Sequence, residues 1–110
     1  MMNLIQDELG EFLTDVRSLF GEKLKSVIVY GSYARGDYNE HSDIDVMILV
    51  SLADGEIKKI ENSVFDMAFE LELKYGKVLS PIIKNQDFFD YWSDTLPFYR
   101  NIVKEGVKVA

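Results

Sequence analysis

Two aspartates one residue apart, Asp43 and Asp45, stand ten residues after the dipeptide Gly31-Ser32. In an extended chain the side chains alternate, so both carboxylates fall on one face about 7 Å apart while Ile44 points to the other. Like charges held that close repel unless a cation lies between them. Oxygen donors, no cysteine and a single histidine select a hard divalent ion, Mg²⁺ or Mn²⁺, over zinc. Magnesium takes one or two protein carboxylates and completes its shell with water and substrate phosphates.

Upstream, Gly31 and Ser32 follow a β-branched run, where a glycine lets backbone approach a ligand and the next turn aims N–H groups at a phosphate. Arg35, one turn later, can balance charge on a leaving pyrophosphate. Such a site binds a nucleoside triphosphate through Gly31, Ser32 and Arg35, holds metal with Asp43 and Asp45, and presents the α-phosphorus to an acceptor hydroxyl. Each residue also has a plainer reading. Gly31 can be a turn glycine, Ser32 a helix cap, Ser42 a turn residue, and Arg35 a solvated partner of Asp37. His41 lies in a polar loop and reads as exposed, Tyr33 packs as readily as it stacks on a base, and the aromatics from Phe88 to Tyr99 read chiefly as core and helix packing, with a base-stacking platform or a partner interface as the alternative uses.

The elements that must position these residues follow from periodicity. Asn3 and Gln6 suggest a cap, and Ile5, Leu9, Phe12, Leu13, Val16, Leu19 and Phe20 recur at helical spacing up to Gly21. Ser26–Tyr30 predicts a strand buried on both faces, 31–42 a polar loop, and Asp43–Val50 a second strand. Asp54 can cap a long helix through Ile57, Ile60, Val64, Met67, Ala68, Leu71 and Tyr75, with Gly76 as its stop. Lys77–Lys84 predicts a third strand, placed at a sheet edge or bulge by Pro81. Residues 86–106 predict two short helices broken near Asp94, and 107–109 a small last strand. This order predicts an α/β (α+β) sandwich with a small mixed sheet, in a single domain over 1–110. The link between the first two strands is too short for a parallel crossover helix.

Composition bounds the partners. The chain carries a net charge of −7, and residues 1–55 hold 4 basic against 10 acidic side chains. That balance argues against tight, sequence-independent nucleic-acid binding, which rests on Lys and Arg neutralising phosphates. The most apolar run, Ile44 to Leu52, contains a carboxylate and is too short for a membrane span. The acidic first residues are unlike a secretory signal, and with no cysteine the chain reads as cytoplasmic.

The Gly-Ser-x10-Asp-x-Asp pattern, with Ala34-Arg35-Gly36 and Ser42 before the first aspartate, resembles the minimal nucleotidyltransferases of the DNA polymerase β superfamily. Glu70–Gly76 and the Pro97–Gly106 tail look like small stand-alone members, so the resemblance runs nearly end to end. It implies the nucleotidyltransferase fold and Mg²⁺-dependent transfer of a nucleoside monophosphate, usually AMP from ATP, with pyrophosphate released. It also implies a HEPN-domain protein as partner, with the nucleotidyltransferase as the antitoxin that adenylylates a HEPN ribonuclease. One departure concerns a third carboxylate that catalytic members carry on the strand after the long helix. Here Lys77–Lys84 contains no acid, and Ser80 is the polar residue near that place. The alternative is therefore a catalytically impaired module that neutralises its partner by contact alone. Modification of a small molecule is a third reading, and it needs an acceptor pocket that a second copy of so short a chain could complete.

Overall fold

The computed structural model describes residues 5–110, so the expected cap at Asn3 lies outside the described residues. Helix α1 runs from Gln6 to Phe20 and closes in a 3₁₀ turn, Gly21–Lys23. Strand β1 (Leu24–Tyr30) follows, two residues longer at its start than the β-branched run predicts. The stretch expected as loop contains a one-turn helix, α2 (Ser32–Arg35), before β2 (Ile44–Val50). Asp43 thus stands immediately before the second strand and not in it. Helix α3 (Asp54–Tyr75) is the long crossover to β3 (Leu79–Asn85). Helices α4 (Gln86–Trp92) and α5 (Pro97–Glu105) lead to the short β4 (Val107–Lys108).

The four strands form one mixed sheet in the order β3-β2-β1-β4. β1 pairs antiparallel with both β2 and β4, whereas β2 and β3 run parallel across the α3 crossover. Pro81 lies on β3, an edge strand, as a residue without a donor N–H should. Strand alternation then sorts the core. Val27, Val29, Ile44, Val46, Ile48 and Val50 face α1 and α3, where they meet Phe12, Val16, Val64 and Leu71. The intervening residues, Ile28, Tyr30, Met47 and Leu49, face α4 and α5 and meet Phe89, Tyr99 and Ile102. Asp45 falls on this second face, because it lies two residues before Met47 on β2.

Local bonds fix the connections. Glu56 Oε1 accepts the Ala53 N–H (3.3 Å) at the start of α3, and Asn85 Oδ1 accepts the Phe88 N–H (3.0 Å) at the start of α4. Asn85 Nδ2 donates to the Leu52 carbonyl (2.8 Å), tying the end of β3 to the loop after β2. At the end of α5, Gly106 has no Cβ to collide with the Ile102 carbonyl or the Ile28 side chain, so the chain turns tightly against β1.

Candidate active site

The antiparallel register sets Tyr30, the last residue of β1, opposite Asp45 near the start of β2. The next residue, Gly31, has φ 76° and ψ −153°. A side chain there would be strained by that φ, and its Cβ would run into an Asp45 carboxylate oxygen and sit 3.2 Å from Asp45 Cγ. Only glycine lets the turn and the carboxylate share this space. In α2 the Ala34 and Arg35 N–H groups donate back to the Gly31 carbonyl (3.1 and 3.0 Å). A first helical turn leaves its leading N–H groups, here those of Ser32 and Tyr33, without intrahelical acceptors.

Asp45 is half-buried, and its carboxyl is raised above the usual carboxylate range, first by burial and then by repulsion from Asp43, with Arg35 opposing. Asp43 itself is exposed. Burial, then the Asp45 charge, pushes the Tyr30 hydroxyl up to about 12. The exposed Arg35 guanidinium pairs with Asp37 (Nε to Oδ2, 3.2 Å) and with Glu105 at the end of α5 (Nη1 to Oε2, 3.5 Å). Tyr30, Gly31, Arg35 and Asp45 line one side of a cleft of about 220 Å³, and Phe98, Asn101 and Glu105 of α5 line the other. A larger groove of about 460 Å³ runs along α1 past Asp7, Gly10 and Glu11, away from every one of these groups.

The sequence-predicted residues are therefore brought together in part. Gly31, Arg35 and Asp45 share the cleft, Ser32 opens the adjoining helical turn, and Asp43 stands close enough to perturb Asp45. The parallel register sets Ser80 beside Asp45, so the strand next to the aspartate offers a hydroxyl where the resemblance implies a third carboxylate. Among the described residues no group of three His, Cys, Asp or Glu side chains could hold a metal ion. Two carboxylates, one raised by burial and then by the other's charge, suit an ion that keeps water and takes further oxygens from a substrate, and do not form a complete protein cage.

Other candidates resolve as packing or surface. Tyr33 is buried and stacks on Tyr38 (ring centroids 4.7 Å apart), so it does not face a ligand. Ser42 Oγ accepts the Asn39 N–H (2.9 Å), a turn role. The exposed His41 lies 3.5 Å from Glu40 and outside the cleft. The residues missed by sequence reasoning are Asn101 and Glu105 of α5, which line the cleft beside Phe98. Their signal was present in the helical spacing of 98, 101, 102 and 105 just ahead of Gly106.

Residues 9–109 match the nucleotidyltransferase domain family, and the chain belongs to that family. Two proteins of Methanocaldococcus jannaschii that carry the name "Putative protein adenylyltransferase" are similar to it. One is 37% identical over 101 residues, 89% of this chain and 90% of that protein. The other is 44% identical over 75 residues, 68% of this chain and 74% of that protein. Two crystal structures share the fold. A toxin-antitoxin solved with AMP-PNP superposes with a TM-score of 0.56 at 17% identity, covering 94% of this chain and 71% of that one. A mutant of the toxin-antitoxin MntA-HpeT gives a TM-score of 0.56 at 15% identity with the same coverage. Among the described residues no helix is long and apolar enough to cross a membrane.

Proposed function

We propose that this nucleotidyltransferase moves AMP from ATP to a hydroxyl of a partner protein, and that the partner is a HEPN-type toxin which the transfer silences. The observation that carries the reading is the contact of Gly31 with Asp45: the backbone that would hold the triphosphate lies directly on a carboxylate that would hold the metal. Asp43 and Asp45 would bind Mg²⁺, or Mn²⁺, which supplies charge neutralisation at the phosphates. The Gly31-Ser32 turn receives the triphosphate on its open N–H groups. Arg35 is held at the cleft by Glu105 and faces the pyrophosphate as its charge develops. The acceptor hydroxyl gives up its proton to solvent as its oxygen bonds to the α-phosphorus, the bond from that phosphorus to the bridging oxygen breaks, and pyrophosphate leaves with the electron pair. The names of the Methanocaldococcus relatives support protein as the acceptor class. The shared fold of the toxin-antitoxin structures supports a toxin partner.

The test is to incubate the protein with ATP, Mg²⁺ and the protein encoded beside it, then weigh both. An AMP-sized gain on the neighbour that disappears with Asp43→Asn is the expected result. No gain, or an undiminished gain in the variant, overturns the proposal. A second reading, neutralisation by contact alone, is favoured by Ser80 standing beside Asp45 without a third acid. It requires Asp45→Asn to protect against the toxin as fully as the natural chain.

A further inference from the structure

We infer that the cleft-facing side of α5 is the nucleoside half of the site, with Phe98 as the platform on which the base stacks and Asn101 as the group that reads its edge. The inference rests on the nucleotidyltransferase reading and extends it to the choice of nucleotide. The contact between Arg35 and Glu105 marks the level of α5 that lies beside the phosphate end of the cleft. At 1.5 Å per residue, Phe98 lies about 10 Å back along the same helix face, with Asn101 between them. That is the reach of one nucleoside from its phosphate. Phe98, Asn101 and Glu105 all line the cleft, so the path from phosphate to base is continuous.

The ring of Phe98 is built to receive something flat. It is 47% exposed, yet it is oriented by Tyr30 edge-on (5.7 Å between centroids, 83° between planes) and by Tyr99 (5.8 Å). An aromatic ring held in one attitude at a cleft wall loses little entropy on stacking, and any base offers it a π-face. Asn101 adds selectivity, because a side-chain amide has one donor and one acceptor side by side. On the edge that carries N7, that pattern complements adenine, whose N6 donates and N7 accepts, and not guanine, whose O6 and N7 both accept. Platform and phosphate turn are also joined by direct packing. Gly106 clamps the end of α5 against Ile28 of β1, the strand that ends in Tyr30 and Gly31.

The experiment titrates ATP, GTP and inorganic tripolyphosphate, each with Mg²⁺, into the natural chain, Phe98→Leu, Phe98→Trp and Asn101→Ala. Phe98→Leu is expected to weaken ATP about tenfold and leave tripolyphosphate unchanged, with Phe98→Trp restoring ATP affinity. Asn101→Ala is expected to lower the preference for ATP over GTP by about fivefold or more. Both positions are exposed, and unchanged melting temperatures certify that the variants fold. Equal losses for ATP and tripolyphosphate, or an unaltered ATP affinity in Phe98→Leu, overturn the platform. Absence of any ATP-over-GTP preference in the natural chain overturns the role of Asn101. If the natural chain binds neither ATP nor tripolyphosphate, the nucleotidyltransferase reading itself falls and takes this one with it.

Discussion

The two faces of the sheet are made by the same strands and differ in what they ask of the chain. Toward α1 and α3, Val27, Val29, Ile44, Val46, Ile48 and Val50 alternate into a closed apolar layer. Toward α4 and α5, the same strands carry the Tyr30-Asp45 pair where β1 ends and β2 begins, and the apolar layer of Met47, Leu49, Phe89, Tyr99 and Ile102 reaches only part of the way. The remainder is the cleft. One face is thus packed for stability, while the other leaves a half-buried carboxylate beside a second charge at the edge of its core. The period of two is what allows both, since every residue given to the site leaves its neighbours on the closed face untouched.

If the faces divide these tasks, variants should separate activity from stability. Asp45→Asn is expected to abolish AMP transfer by about 10³-fold or more while leaving the melting temperature equal or higher, because a half-buried, repelled carboxylate has been neutralised. A large fall in melting temperature would contradict the division. Ile48→Ala, on the closed face and fully buried, is expected to do the reverse. Denaturant unfolding should show a loss of about 3 kcal/mol, with transfer per folded molecule unchanged. Gly31→Ala is the case that belongs to both sides. Its positive φ and its contact with Asp45 predict a loss of about 1–3 kcal/mol together with about 10²-fold in transfer rate, read by unfolding and by single-turnover assay.

How far each face could be read from sequence follows the same line. The closed face was legible because its residues obey a simple period: the 3.6-residue stripes of α1 and α3 and the β-branched runs of β1 and β2 appear where periodicity put them. Pro81 limited β3 to a sheet edge or a bulge, and the edge is where it lies; the short link excluded a parallel crossover between β1 and β2, which pair antiparallel. On the open face Gly31, Arg35 and Asp45 were found by chemistry and spacing and share one cleft. Helix α2 was not foreseen, since four residues are too few to show a period. Nor was the joint lining of the cleft by α5, because Phe98, Asn101 and Glu105 mix apolar, polar and acidic types along one helical face, and a pattern of hydrophobicity registers the aromatic without its polar neighbours. Strand β2 begins at Ile44 and not at Asp43, which leaves the first aspartate exposed and the second half-buried.

One residue breaks the division between the faces and gives the finest test of it. Glu8 sits on the closed side, 2% exposed, and neither of its carboxylate oxygens has a hydrogen-bond partner among the described residues. Its place was readable in principle, since position 8 lies three residues after Ile5 and four before Phe12, on the apolar stripe of α1. Burial raises its carboxyl to about 7, opposed by the nearby Lys77 backbone N–H and ammonium and reinforced by the Glu72 charge. In the unfolded chain the group titrates near 4.5. Between those two values the folded state binds the extra proton, so stability falls as pH rises through this window and levels off above it. Glu8→Gln removes the titration and keeps the shape. It should stabilise the protein by about 2 kcal/mol at pH 8 and leave stability nearly unchanged at pH 4.5, as measured by urea unfolding at both values. Equal stabilisation at the two pH values would mean that Glu8 is not ionising inside the closed face, and that the slope with pH originates elsewhere in the molecule.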